Sequence, residues 1–275
     1  MPQKSDAMKI PCYQVDAFAS AVFRGNPAAV CPLEAWLPDA TLQNIAAENN
    51  LSETAFTVPR GDEFELRWFT PTLEMDLCGH ATLAAAFVLF TEQKISSNAI
   101  RFHSRSGILT VTRDGDVLTL DFPARPPQPI AVPEMLANGL AARPTSTLKS
   151  RDYLAVFDSA ETVRALTPDF ATLKSLDCLG IIVTAPGADC DFVSRFFAPA
   201  AGVDEDPVTG SAHCTLIPYW AQRLGKNKLF ARQISRRGGE LFCELAGDRV
   251  RIGGKAVLYL RGEIVLDDAL TIHEK

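Results

Sequence analysis

The stretch Cys78-Gly79-His80-Ala81-Thr82 recurs in altered form as Thr209-Gly210-Ser211-Ala212-His213. Each opens a segment that is apolar on nearly every side, with Leu83, Ala84, Ala85, Phe87, Val88, Leu89 and Phe90 in the first, and Cys214, Leu216, Ile217, Tyr219 and Trp220 in the second. A helix apolar all round belongs inside a core. Burying it also buries its first turn, whose N–H groups have no partner within the helix. An anionic ligand is a natural acceptor there, because the free donors and the helix dipole both favour negative charge.

The two segments belong to an internal repeat. Arg67-Trp68-Phe69-Thr70-Pro71 precedes the first and Arg195-Phe196-Phe197-Ala198-Pro199 the second, while Ser104-Arg105-Ser106-Gly107 is answered by Ser235-Arg236-Arg237-Gly238. Gly79 to Ser104 and Gly210 to Ser235 each span 25 positions. Two similar halves follow, each with a strand, a loop, a buried helix and a hairpin, divided as 1–125 and 126–275 with terminal segments free to cross over. The fold class is α+β, two pseudo-symmetric halves each made of a curved, mostly antiparallel sheet around a central helix. If the halves pack about a pseudo-twofold axis, both helix starts point into one cleft suited to a small acid.

A chain of 275 residues accommodates two ordinary domains. No apolar run reaches the length of a membrane span, and residues 1–6 lack an apolar secretory segment, so the cytoplasm is the expected location. A formal net charge of −6 with no basic run argues against nucleic acid as a partner. The seven cysteines lack paired spacing, which suits free thiols in a reducing compartment. Neither a Cys-x-x-Cys pair nor a His-Glu-x-x-His sequence is present, so no familiar zinc signature marks a metal site.

Along the chain, strands are expected at 10–18, 28–31, 51–58, 64–69, 100–104, 107–111 and 117–122 in the first half. In the second they fall at 152–157, 180–184, 192–197, 249–254 and 256–264. Asp39 is placed to cap a helix carrying Leu42, Ile45 and Ala46 that stops near Asn49-Asn50. Helices are also expected at 161–166 and 169–174. Asp114-Gly115 signals a hairpin, and the Pro-rich stretch 123–129 reads as a linker.

Glu53 shares a strand face with Leu51 and Ala55. A carboxylate among apolar neighbours is partly desolvated, which raises its pKa toward the range useful for proton transfer. Taken alone, Glu53 reads equally as an edge-strand glutamate bonded to a nearby Arg or Lys. His80 reads alone as a helix-start histidine bonded to backbone, and Asp206 as a turn or capping carboxylate before Pro207. His213, in the first turn of its helix, fits either a place in the cleft or a satisfied structural histidine.

Taken together, Val15-Asp16-Ala17-Phe18, Gly25-Asn26-Pro27-Ala28, Asn50-Leu51-Ser52-Glu53-Thr54, Phe69-Thr70-Pro71, Gly79-His80-Ala81-Thr82 and Glu205-Asp206-Pro207-Val208-Thr209-Gly210-Ser211-Ala212 resemble the phenazine-biosynthesis PhzF-like isomerases. Those enzymes share the diaminopimelate-epimerase fold, and the resemblance covers nearly the whole chain. It implies Glu53 as the acid/base that moves a proton, with His80 and Asp206 as polar partners that orient and polarise the substrate. It also implies a site between the halves, no cofactor and a homodimer. Gly79, Ala81 and Thr82, with Gly210, Ser211 and Ala212, are the residues expected to hold a substrate carboxylate through helix N–H groups and the Ser211 hydroxyl.

One position departs from the wider fold. Diaminopimelate epimerases and proline racemases place a cysteine before each helix glycine, so that two thiols act from opposite faces of the substrate. Here Cys78 holds the first position and Thr209 the second, and a threonine hydroxyl is no base near neutral pH. The expected function is therefore a cofactor-independent shift of a proton, with a double bond, in a small carboxylic acid. The alternatives are an amino-acid epimerase using Glu53 with Cys78, a carboxylate-binding protein without turnover, and metal capture by Cys78, His80, Asp206 and His213.

Overall fold

The computed structural model describes residues 7–266; residues 1–6, read above for the absence of a secretory segment, lie outside the described residues. The chain divides into two compact units. Among the described residues, the first comprises 7–17, 27–118 and 256–266, and the second 18–26 and 119–255.

The first unit contains β1 (Met8–Ala17), most of β2 (Asn26–Pro32), α1 (Asp39–Asn49), β3 (Glu53–Arg60), β4 (Glu63–Phe69), β5 (Glu74–Met75), α2 (Gly79–Thr91), β6 (Ala99–Ser104) and β7 (Gly107–Asp114). β2 runs parallel to β3, β3 antiparallel to β4, β4 parallel to β6, and β6 antiparallel to β7. Helix α2 is buried at ten of its residues and packs on β1, β3 and β7. On the other face of the sheet α1 closes a core of Leu42, Ile45, Phe56 and Phe69. A sheet covered on both faces has no solvent side, so residues 54–58 of β3 are buried without alternation.

β8 (Val117–Pro123) leads into the second unit, which continues with β9 (Gln128–Ile130), α3 (Glu134–Leu140), β10 (Ser146–Lys149), β11 (Tyr153–Val156), α4 (Ala160–Ala165) and α5 (Phe170–Lys174). It proceeds through β12 (Ile181–Pro186), β13 (Phe192–Ala198), β14 (Val203–Asp206), α6 (Gly210–Leu224), β15 (Lys228–Gln233), β16 (Gly239–Ala246) and β17 (Arg249–Gly254). β11 is parallel to β12, β12 antiparallel to β13, β13 parallel to β15, and β15 antiparallel to β16. That sequence of pairings repeats the order found in the first unit. Helix α6 is buried at ten residues and packs on β15, β16 and β17, while α3, α4 and α5 cover the opposite face. β18 (Ala256–Leu266) returns to the first unit, antiparallel to β1.

The repeat extends to side chains. Arg67 grips Glu74 with Nε and Nη2 at 2.7 and 2.8 Å and lies over Phe69, and Arg195 grips Glu205 at 2.7 and 2.9 Å and lies over Phe197. In both units the pair ties the end of a central strand to the short strand that follows it, and so fixes the approach to the buried helix.

Two local expectations are corrected. Asp39 does not cap α1: Pro38 occupies the cap, and the Asp39 carboxylate instead takes Nη1 of Arg67 at 2.9 Å. The Pro-rich stretch 123–129 is not a bare linker. Ala124 and Arg125 donate their amides to Asp248 and Cys214 within the second unit, and Gln128–Ile130 pairs with β10. Chain termination of α1 at Asn50, in the left-handed region at φ 49°, is as read.

Candidate active site

Glu53 is the first residue of β3 and His80 the second of α2. The buried helix places the imidazole against the strand end, with Nε2 of His80 3.0 Å from Oε2 of Glu53. On the other side of the ring, Nδ1 lies 3.6 Å from Sγ of Cys78, the cap residue of α2. Glu53, His80 and Cys78 therefore form a row through one imidazole, with 15% and 7% of the Glu53 and His80 side chains exposed.

Burial works against the charged form of His80, but the neighbouring Cys78 and Glu53 outweigh it and hold the imidazole well above its ordinary pKa. Burial, reinforced by Glu53, raises the Cys78 thiol. An imidazolium beside a carboxylate, at the start of a helix, is an electrostatic arrangement for a substrate that becomes more negative as it reacts.

One donor atom from each of Glu53, Cys78 and His80 lies within 4.8 Å of the others, so the group has the donor set for a metal ion. Its layout points elsewhere. The two ring nitrogens face different partners, and a single ion could take only one of them. Among the described residues, neither Asp206 nor His213 belongs to this group.

At the start of α2 both Thr82 donors go to the carbonyl of Cys78, N at 3.2 Å and Oγ1 at 2.5 Å. Thr82 therefore tightens the first turn rather than offering a hydroxyl. The donors outside the helical ladder are the amides of Gly79, His80 and Ala81. No side chain caps either α2 or α6.

In the second unit Asp206 ends β14 four residues before Gly210. Both its carboxylate oxygens are engaged: Oδ1 accepts from Nδ2 of Asn26 at 2.7 Å and Oδ2 from Oγ1 of Thr209 at 2.5 Å. Gln233 locks the same turn, accepting the Thr209 amide at 2.8 Å and donating to the Asp206 carbonyl at 2.8 Å. Asn26 and Gln233 are fully buried. Ser211 accepts Nη2 of Arg151 at 3.2 Å, and Arg151 is itself held by the buried Asp152 at 2.8 Å. Gly210 and Ala212 are buried at the helix start.

Gln233 and Arg151 were not singled out in the sequence, and Asn26 entered only as part of the Gly25-Asn26-Pro27-Ala28 motif, without a role of its own. Asn26 sits in Gly25-Asn26-Pro27, which reads as a turn; a buried Asn between Gly and Pro was the available signal. His213 is structural: Nδ1–H donates to the Thr209 carbonyl at 2.8 Å, the ring packs on Phe192, and burial lowers its pKa to about 4.

Residues 15–262 match the family model described as phenazine biosynthesis-like protein. An uncharacterized isomerase of Pseudomonas aeruginosa is 56% identical over 259 residues, covering 94% of this chain and 100% of that protein. The crystal structure of a phenazine biosynthesis PhzF-family protein from Enterococcus faecalis superposes with a TM-score of 0.93 at 52% identity, covering 94% of this chain and 100% of that one. A hydroxyproline epimerase from Agrobacterium vitis, solved with trans-4-hydroxy-L-proline, shares the fold at a TM-score of 0.62 and 13% identity, over 96% of this chain and 94% of that one. Among the described residues no helix is long and apolar enough to cross a membrane.

Proposed function

The chain belongs to the phenazine biosynthesis-like protein family, and from that premise we propose that it is an isomerase moving a proton within a small carboxylic acid by means of Glu53. The supporting observation is the pairing of Glu53 with a protonated His80 at the opening of a buried, uncapped helix.

In this reading the substrate carboxylate accepts from helix-start amides and from Ser211, which Arg151 makes locally positive. Glu53 removes a proton from a carbon of the acid, and the electron pair left behind moves into the adjoining π system. His80 and the fixed carboxylate of Asp206 orient the substrate while that charge develops. Glu53 then returns the same proton, or one exchanged with solvent, to a second carbon, so the double bond shifts and no atom is gained or lost. The chemistry calls for no cofactor. The protein acts as a homodimer in the cytoplasm.

A two-thiol epimerisation is disfavoured by Thr209, whose hydroxyl is committed to Asp206, and by the raised pKa of the Cys78 thiol. The test is incubation in deuterated water with a panel of small amino and hydroxy acids. Deuterium appearing at a carbon of a rearranged product supports the proposal. Ligand binding that survives Glu53→Gln, with no exchange in the wild type, supports a binding protein instead, and inversion of an otherwise unchanged amino acid supports an epimerase.

A further inference from the structure

A cavity of about 430 Å³ opens in the second unit between the loop of residues 18–25 and the hairpin joining β15 to β16. None of Glu53, Cys78, His80, Asp206 or Ser211 lines it. Its walls carry Arg24, Arg164, Arg232 and Arg237, against a single carboxylate, Glu240. In a chain with formal net charge −6, this is a concentrated patch of the opposite sign.

The local acids do not neutralise all of it. Arg232 pairs with Glu240 at 3.2 Å and with Asp189. Arg237 uses Nε and Nη2 to hold the carbonyls of Gly25 and Arg24 at 2.8 and 2.9 Å, which fixes the loop to the hairpin. Among the described residues, neither Arg24 nor Arg164 takes part in an ion pair within 4.0 Å. Nη1 of Arg24 reaches the Arg237 carbonyl at 3.5 Å, and the carboxylate that senses Arg164 is Glu161, on its own helix.

The floor differs from the walls. Phe18 and Ala19 are buried there and apolar, and beside them lies the buried Gln233. Guanidinium groups match carboxylate or phosphate oxygens in a planar fork, and several of them around one hollow repel one another until an anion enters. The volume lies within the usual span for small-molecule sites and exceeds what one inorganic anion needs. The apolar floor suits a carbon skeleton.

We propose that this cavity binds a small organic anion carrying at least two carboxylate or phosphate groups. Arg24 and Arg164 supply the uncompensated charge, and the floor takes the carbon body. Gln233 gives such a ligand a route to the proton-transfer machinery, since the same side chain holds the Asp206–Thr209 turn. The binding claim itself does not depend on the isomerase reading.

The test is isothermal titration calorimetry on the full chain and, in parallel, on Glu53→Gln, with citrate and inorganic pyrophosphate as probes. The expected result is one-to-one binding of at least one probe in both proteins, weakened several-fold by raising salt from about 50 to 300 mM. Tighter binding of citrate assigns the carboxylate class, and of pyrophosphate the phosphate class. The double variant Arg24→Gln/Arg164→Gln, with its melting temperature checked, should lose at least tenfold in affinity. If its melting temperature drops, the two single variants replace it, each expected to lose about threefold. Absence of binding by both probes, or affinity untouched by these substitutions, overturns the proposal.

Discussion

The Thr209 hydroxyl donates to Oδ2 of Asp206 across 2.5 Å, from the position just before the glycine that opens α6. Thr209 thereby braces that carboxylate. Removing a hydrogen bond to a charged group costs about 1.5–3 kcal/mol. Thr209→Val should therefore lower turnover by about tenfold or more, Thr209→Ser should restore most of it, and Thr209→Cys should create no racemase. Steady-state rates on an identified substrate, with chiral analysis of recovered starting material, check all three.

The two helix-start histidines titrate in opposite senses. For His213 the folded pKa is about 4, below the ordinary value near 6.5, so the folded protein binds fewer protons. Its stability is fully present above about pH 6.5 and is lost as pH falls toward 4, by about 3 kcal/mol. His213→Asn keeps a donor for the Thr209 carbonyl and should flatten this acid limb. Denaturant unfolding at pH 7 and pH 4.5 measures the difference between the two proteins.

For His80 the folded pKa lies well above the ordinary value. Its contribution is fully present below pH 6.5 and disappears as pH rises through the folded value. Activity should fall over that same alkaline limb, and His80→Gln should remove the limb while lowering kcat. A pH–rate profile of wild type and variant tests this directly.

Arg195 donates to Glu205 through Nε and Nη2 and through Nη1 to the carbonyls of Val163 and Leu166, with 11% of its side chain exposed. Replacing it with Met leaves a largely buried carboxylate and two carbonyls short of a donor. A loss of about 3 kcal/mol is expected, read as a lowered midpoint in denaturant unfolding. Arg67→Met should behave alike, since Arg67 serves Glu74 in the same way.

The repeat was legible because it is written in side chains that the fold cannot exchange. Arg67 and Arg195, the glycines opening α2 and α6, and the all-apolar helices each recur at fixed spacing, and the strand pairings recur with them. Glu53 was legible as a residue of interest, and its contact with His80 is local to one unit. What escaped is long-range. Asn26 meets Asp206 from 180 positions away, and Gln233 reaches back to the Asp206–Thr209 turn, so neither contact leaves a periodicity. The period-two face assigned to Glu53 also had little meaning, because β3 is buried on both sides. Short elements such as α3 and β9–β10 carry too few residues for a pattern, and Pro-rich sequence concealed β9.

The central claim is that a carboxylate, and not the adjacent thiol, carries the proton. Solvent deuterium incorporation into product, followed by proton NMR for the wild type, Glu53→Gln and Cys78→Ala, separates the two most directly. The account expects Glu53→Gln to lose incorporation by at least a thousandfold while Cys78→Ala keeps it within about tenfold, in line with general acid–base catalysis by a single group. Incorporation that survives in Glu53→Gln and vanishes in Cys78→Ala contradicts it.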